Sequence, residues 1–299
     1  DFGTIILTDR ELFNKRNKEI TSQKRSYYKE KPEFFKLALE SILNQTVAAS
    51  EWVIVKDGPL TPELDGVIDE FLANNQVNAK IIALEKNMGS GPALAVGIEA
   101  CSNELIAKMD SDDIAAENRF ELQLNEFMND DKLDVCGGQI VEFEDDLNNP
   151  IAERIVPTEH EEIYEYYKCR SGINHMTVMY KKSAVLAAGN YDDSPLMEDY
   201  SLFVRLLQNG AKFKNVDAVL VYARTNRTMV ARRGGWRNYT TYKAAKKRAY
   251  KTGFMSYWQY KKMNVIQFII SIMPSWLRKF VFFNVAHKKV RAKDSAKNA

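Results

Sequence analysis

Three carboxylates directly follow a short apolar segment near the middle of the chain. Residues 105–109 predict a buried strand, and Asp110, Asp112 and Asp113 come after it. Open α/β sheets bind their ligands at the carboxyl ends of strands. Carboxylates crowded at such a point repel one another, and hard cations such as Mg²⁺ or Mn²⁺ prefer oxygen ligands. The spacing therefore favours a site for a divalent cation and a diphosphate. The competing interpretation is a solvated acidic turn that caps the next helix.

A second group of carboxylates, Glu198 and Asp199, stands at the predicted start of a helix, after the turn-forming residues 192–195. A carboxylate in a first helical turn is stabilised by the helix dipole, but it can also act as a general base. Asp57 follows another predicted strand, 52–55, in a turn of sequence KDGP. It is either a turn former or a ligand-binding group at the end of that strand.

The composition indicates a globular protein. With 299 residues, 45% hydrophobic and 27% charged, the chain is expected to form one large domain or two smaller ones. Its three cysteines and three histidines lack metal-ligand spacing, which argues against a zinc enzyme and favours reduced thiols in a cytosolic protein. Residues 2–7 are too short for the core of a secretion signal, and no basic segment precedes them.

The charges are distributed very unevenly. Residues 218–299 contain 19 Lys and Arg but a single acidic residue, whereas the rest of the chain contains 23 basic and 39 acidic residues. Such a basic segment predicts an anionic partner, and nucleic acid and the cytoplasmic face of a membrane are the candidates. The apolar stretches 265–273 and 276–285 are shorter than the roughly 20 residues of a spanning helix. They favour amphipathic helices in a membrane interface, and the alternative is a helix pair packed on the rest of the protein.

Strand-like and helix-like segments alternate through the first two thirds of the chain. Strands are predicted at 52–55, 80–84 and 105–109, and helices at about 34–43, 62–72 and 90–100. This alternation predicts an α/β fold whose mostly parallel sheet is flanked by helices. The composition shifts after residue 224, so we expect one domain over residues 1–225 and a C-terminal basic amphipathic helical module over 226–299.

Six segments occur in an order that is similar to that of a known family. They are YYKEKPEFFKLALESILNQT (27–46), WVIVKDGP (52–59), NMGSGPALAVGIEA (87–100), IAKMDSDDIAAENRFELQ (106–123), MEDYSLFVRLLQNG (197–210) and RRGGWRNY (232–239). Over residues 27–240 the chain resembles the inverting, nucleotide-sugar-dependent glycosyltransferases with the GT-A fold, which include cellulose and chitin synthases. It looks closest to small bacterial members, of the amylovoran type, that build capsular and exopolysaccharide repeat units. The resemblance implies the Rossmann-like GT-A sheet.

The same resemblance implies a role for each carboxylate. Asp57 is similar to the residue that binds the nucleoside, and Asp110 to one that contacts the ribose or supports the metal shell. Asp112 resembles the direct ligand of Mn²⁺ or Mg²⁺. Asp199 resembles the catalytic base that takes the acceptor's proton, and Glu198 a group that orients the acceptor or the base.

Further residues have both a functional and a structural interpretation. Arg232, Arg233 and Trp236 resemble a late segment that clamps the diphosphate and stacks on the acceptor sugar, and they are otherwise a solvated basic loop. His175 either faces the acceptor or is a hydrogen-bonded structural histidine. Asp113 is expected to support the metal site or to cap a helix.

The implied function is metal-dependent, inverting transfer of a sugar from a nucleoside-diphosphate sugar, by preference a UDP-sugar, to a lipid-linked saccharide. The protein is expected to lie on the cytoplasmic face of the membrane and to bind its anionic surface, without a nucleic-acid partner. The alternatives are a nucleotidyltransferase of similar fold, and a catalytically inactive relative that binds nucleotides or nucleic acid. A nucleotidyltransferase would carry a glycine-rich phosphate loop after its first strand, and residues 8–31 contain no glycine.

The first strand is where the chain departs from the family pattern. An apolar strand is expected directly before Tyr28, but residues 21–26 are polar and basic, and an apolar run occurs only upstream at 4–7. There are three possibilities for the first strand: residues 4–7 supply it, it is irregular, or it is missing. Because its end helps to hold the nucleoside, this departure bears on donor binding.

Overall fold

The structure, a computed structural model, describes residues 20–26, 30–225 and 234–281. The strands are β1 Ile20–Ser26, β2 Glu51–Lys56, β3 Ala79–Ala83, β4 Leu105–Lys108, β5 Ile114–Ala115, β6 Leu133–Phe143, β7 Ala152–Arg154, β8 Met179–Lys181 and β9 Lys212–Arg224. The helices are α1 Pro32–Leu43, α2 Pro62–Asn74, α3 Ser90–Ala100, α4 Arg119–Asn129, α5 His160–Tyr167, α6 Lys182–Ala187, α7 Glu198–Gln208, α8 Trp236–Lys251, α9 Tyr257–Ile272 and α10 Ser275–Val281.

One mixed sheet joins the strands in the order β3-β2-β1-β4-β8-β6-β9-β5, with β7 paired to β6. The first four positions, β3 to β4, are parallel, as the alternation of strands and helices predicts. The second half is mixed, since β8 lies antiparallel to both β4 and β6 while β9 runs parallel to β6. The α/β prediction is confirmed, while the antiparallel pairs of short β8 with β4 and β6 depart from the mostly parallel sheet that the alternation predicts.

The polar segment before residue 27 supplies the first strand. β1 pairs in parallel with β2 from Thr21 opposite Glu51 to Ser26 opposite Lys56, and Ile20 pairs with Leu105 of β4. The two neighbouring strands provide hydrogen-bond partners for the backbone of β1 on both edges. This pairing does not require apolar side chains. The apolar run 4–7 lies outside the described residues.

Helices cover both faces of the sheet. In β2, Val53 and Val55 pack in one apolar cluster, while Trp52 and Ile54 pack in the cluster on the opposite face. This alternation follows from the two-residue period of a strand, and its burial on both faces explains why β2 is almost wholly apolar. α1 and α2 each have proline in their first turn, as expected where a backbone N–H has no helical partner.

The C-terminal helices pack partly against the sheet domain. Ala245 and Ala249 of α8, with Phe254 and Tyr260 after it, belong to the same buried cluster as Val53. The outer side of α9 and α10 exposes large apolar side chains, namely Trp258, Val265, Ile266, Phe268, Ile269, Ile272, Trp276 and Phe280. Within 20–26, 30–225 and 234–281, no helix is long and apolar enough to span a membrane.

Candidate active site

The segment after β4 carries the predicted metal-binding carboxylates. β4 is fully buried, and its last residue, Lys108, directs its ammonium to the Asp110 carboxylate at 2.6 Å. Asp112 and Asp113 are also buried, with 6% and 3% of their surfaces exposed. The Ser111 hydroxyl donates a hydrogen bond of 2.6 Å to Glu30, which brings a fourth carboxylate to the cluster.

Burial and mutual repulsion dominate the electrostatics of this cluster. Burial raises the pKa of Asp112, and the nearby charges of Asp113, Glu30 and Asp110 raise it further. Burial and Asp110 likewise raise the pKa of Asp113, against the opposing effect of the Arg224 N–H. A cation placed here would favour the ionised carboxylates, because it supplies the charge that burial and repulsion withhold.

Two buried or half-buried arginines fix the backbone of the acidic segment. Arg119, at the start of α4, donates 2.7 Å to the carbonyl of Lys108, and burial lowers its pKa to about 9. Arg224, at the end of β9, donates its Nε–H to the carbonyl of Asp112 at 3.1 Å and its backbone N–H to the Asp113 carboxylate at 2.7 Å. Asp113 therefore anchors β9 and does not cap a helix, since short β5 follows it rather than α4.

Asp57 lies at the end of β2, on the same edge of the sheet as the acidic segment. Its carboxylate accepts hydrogen bonds from the Asn87 amide at 2.8 Å and from the backbone N–H groups of Met88 at 2.7 Å and Gly89 at 3.3 Å. Gly89 has φ of +90°, a conformation that favours glycine. Asp57 thus shapes the entry to α3, and it directly follows β2, which lies two positions from β4 in the sheet.

Glu198 and Asp199 begin α7, and this helix start packs against the start of α3. A Cβ added to Gly91 would lie 2.0 Å from the Asp192 carbonyl oxygen and 3.4 Å from Cβ of Glu198, so the close approach requires glycine. Burial raises the pKa of both Glu198 and Asp199. For Asp199 the N–H of Tyr200 and the charges of Arg154 and Lys108 oppose this effect.

His175 lies in a hydrogen-bonded aromatic cluster with Tyr191 and Phe203. Its Nε2 is 2.9 Å from the Tyr191 hydroxyl, and its ring packs edge-on against Phe203 at 5.9 Å. Burial lowers its pKa, and the charge of Lys108 lowers it further. A neutral, hydrogen-bonded imidazole is what the structural interpretation predicts.

The late basic segment is described only in part. Trp236 begins α8, is 68% exposed and packs on Tyr239 at 5.2 Å between ring centroids. In the described part of the chain this ring contact joins Trp236 to its own helix and not to the carboxylates of the site. Arg232 and Arg233 lie outside the described residues, so their predicted role in binding diphosphate stays a prediction.

The donor set fits a cation that relies on its substrate for ligands. Within the parts of the chain that the structure describes, no three His, Cys, Asp or Glu side chains are placed to hold a metal ion together. Mg²⁺ usually binds through one or two carboxylates plus substrate phosphates, and it needs no complete protein cage. Asp112, buried among like charges, is the side chain best placed to bind such a cation, with Asp110 beside it.

Sequence reasoning missed four charged residues of this region. Lys108, Glu30, Arg154 and Arg224 contact the candidate carboxylates, their backbone or their electrostatic surroundings. Only Lys108 carried a usable signal, a charge at the end of an otherwise apolar strand. The others lie 45 to 112 positions from the aspartates that they affect.

The fold is shared with solved glycosyltransferases. The structure of a mannosyltransferase from Pyrobaculum calidifontis in complex with GDP-Man and Mn²⁺ superposes with a TM-score of 0.58 at 11% identity, covering 82% of this chain and 68% of that chain. This likeness, together with carboxylates at the carboxyl end of the parallel strands, defines an α/β protein of the GT-A class.

The sequence comparisons give the family. The model of glycosyl transferase family 2 matches residues 26–185, so the chain belongs to this family and is a glycosyltransferase. A UDP-Gal:α-D-GlcNAc-diphosphoundecaprenol β-1,3-galactosyltransferase from Escherichia coli is 33% identical over 88% of this chain and 94% of its own length. An amylovoran biosynthesis glycosyltransferase from Erwinia amylovora is 35% identical over 70% of this chain and 77% of its own length. The resemblance seen in the motifs is confirmed.

Proposed function

We propose that this glycosyltransferase uses a divalent cation, Mn²⁺ or Mg²⁺, to transfer a sugar with inversion from a nucleoside-diphosphate sugar, by preference a UDP-sugar, to a lipid-linked saccharide. The observation that carries the proposal is the burial of Asp112 among Asp110, Asp113 and Glu30 at the end of β4. The named relatives support the substrate class, since one acts on a diphosphoundecaprenol-linked sugar and another serves amylovoran biosynthesis.

The chemistry assigned to the chain's own residues is a single displacement. The acceptor hydroxyl oxygen bonds to the anomeric carbon while the bond from that carbon to the diphosphate oxygen breaks, and the electron pair leaves with the diphosphate. Asp199 takes the hydroxyl proton. Asp112, with Asp110, would hold the cation, whose Lewis acidity stabilises the charge on the departing nucleoside diphosphate. Glu198, beside Asp199, orients the acceptor, and Asp57 supports the nucleoside pocket through the entry of α3.

A donor screen tests this proposal. Purified protein is incubated with a panel of UDP-, GDP-, dTDP- and CMP-sugars with Mn²⁺, Mg²⁺ or EDTA, and release of free nucleotide is measured with and without a lipid-linked acceptor. We expect one nucleoside diphosphate to be released fastest, only with a divalent cation, and faster with acceptor. Equal release in EDTA would contradict the metal dependence, and no turnover with any donor would contradict the proposal.

The membrane is proposed as the surface on which the acceptor is met. The exposed apolar side of α9 and α10, here named the apolar face, includes Ile269, Trp276 and Phe280 at 49%, 70% and 59% exposure. Exposed Lys261 and Lys262 lie on α9 itself. Apolar side chains that enter the interface and basic ones that meet anionic headgroups are the two contributions a peripheral helix uses. A cytoplasmic, peripheral location follows as part of this proposal.

A further inference from the structure

The ammonium of Lys108 is built into the acidic site. The side chain of Lys108 is 2% exposed and lies 2.6 Å from Asp110, whose own side chain is 15% exposed. A buried ammonium is stable only when it is paired, because its transfer from water is otherwise very costly. The pair is therefore a permanent part of the site and not a surface contact.

The other cations of the cluster are used differently. Arg119 donates to the Lys108 carbonyl, and the side chain of Arg224 donates to the carbonyls of Asp112 and Glu144. Lys108, in contrast, contacts a carboxylate directly. Among the described residues, no lysine or arginine forms an ion pair with the Asp112 carboxylate. Asp110 is thus neutralised by direct contact, whereas Asp112 feels the charge of Arg224 without forming an ion pair with it.

We propose that Lys108 is a positioning residue which, by neutralising Asp110, prevents the acidic cluster from binding a divalent cation tightly on its own, so that the cation binds together with the donor's diphosphate. The inference rests on the metal dependence proposed above. A cation held mainly by one carboxylate binds weakly until phosphate oxygens complete its shell. The charge of Lys108 also acts on Glu198 and Asp199, so the same ammonium influences both carboxylate groups of the site.

Equilibrium binding of Mn²⁺, followed by the electron paramagnetic resonance signal of the free ion, tests the inference without any turnover. Wild-type protein and Lys108→Met are titrated with Mn²⁺ alone and with Mn²⁺ in the presence of UDP. We expect Lys108→Met to bind Mn²⁺ alone at least tenfold more tightly, a difference of about 1.4 kcal/mol. UDP should then strengthen Mn²⁺ binding less in the variant than in the wild type.

Three further variants act as controls. Lys108→Arg keeps the charge and should bind Mn²⁺ alone within about threefold of the wild type. Lys36→Met removes one charge from the exposed ion pair with Glu70 and should change nothing. The double variant Lys108→Met with Asp110→Asn removes both charges and should return the affinity for Mn²⁺ alone to that of the wild type. It also decides the matter if Lys108→Met alone unfolds, which thermal unfolding would reveal.

The outcomes separate this inference from the proposed function. If the wild type binds Mn²⁺ with UDP but Lys108→Met binds Mn²⁺ alone no more tightly, the role of Lys108 is refuted and the metal site stands. If the double variant loses all Mn²⁺ binding while Asp112→Asn keeps it, Asp110 is the main ligand and the inference is overturned. If the wild type binds neither UDP nor Mn²⁺ with UDP, the proposed function fails and this inference fails with it.

Discussion

Because Lys246 is buried, we expect the stability of the protein to depend on pH in an unusual way. It lies in α8, is 1% exposed, and its ammonium is 3.3 Å from the Cys169 carbonyl, 3.4 Å from the Tyr167 carbonyl and 3.9 Å from the centre of the Tyr200 ring. These partners are dipoles and ring faces, so burial dominates and lowers the pKa of Lys246 to about 7.

The direction of the effect follows from proton binding in the two states. Unfolded Lys246 keeps a pKa near about 10.4, so between about pH 7 and 10 the unfolded chain binds a proton that the folded chain has released. Stability therefore rises with pH in this window, by up to about 1.4 kcal/mol per pH unit. Integrated from about pH 7.5 to 9, the contribution of Lys246 is about 2 kcal/mol.

The assay is urea unfolding, followed by circular dichroism under reducing conditions, of the wild type, Lys246→Met and Lys247→Met. Lys247 is the exposed neighbour of Lys246 on α8 and serves as the matched control. Other groups titrate equally in all three proteins, so we compare only the differences. The wild type and Lys247→Met should gain about 2 kcal/mol more than Lys246→Met over this range. Parallel pH profiles for all three would refute the argument.

Three further predictions concern the site and the apolar face. Asp112→Asn should weaken UDP binding in the presence of Mn²⁺, but not without it, in isothermal titration calorimetry, and equal loss with and without the metal would contradict its role as a ligand. Asp199→Asn should keep donor affinity but slow transfer by about 10²–10⁴-fold, the usual contribution of a general base. A wild-type rate would direct the search to Glu198. Trp276→Glu should abolish the salt-resistant part of sedimentation with anionic vesicles. Leu186→Glu, which also replaces an exposed apolar side chain but on α6, should not. Tight duplex DNA binding by a protein that ignores vesicles would favour the nucleic-acid alternative.

Apart from β1, the parallel half of the sheet could be predicted, because its other strands are largely apolar and its helices begin at clear signals. β2 is buried on both faces, and Pro32 and Pro62 mark helix starts. β1 could not be predicted in the same way, since its sequence is polar and strand prediction depends on apolar side chains. Its pairing with β2 and β4 is a backbone property that becomes visible only when the neighbours are in place.

The candidate site divides along a similar line. Asp110, Asp112 and Asp199 were identified because each stands next to a strand end or a helix start within a segment that resembles the family, and the structure places them at the carboxyl end of the sheet. Their functional assignment stays a prediction. Arg154 and Arg224 were not found, because an arginine at the end of a strand has no distinguishing local pattern. What makes them important is the charge of carboxylates distant in sequence, and charge balance is a property of the folded chain.

The C-terminal helices show why composition alone left two interpretations open. A basic, aromatic segment was expected either to bind a membrane or to pack on the rest of the protein. In the described residues one side of these helices packs on the sheet domain, and the other side exposes the residues of the apolar face. Phe254, Met255 and Tyr260 join the buried cluster of the sheet domain, and Arg248 donates 2.7 Å to the hydroxyl of Ser194, near the start of α7. The apolar face points the other way. If the apolar face binds a membrane, α8 connects it to α7, the helix that carries Asp199. Such an arrangement suits an enzyme whose acceptor is anchored in lipid.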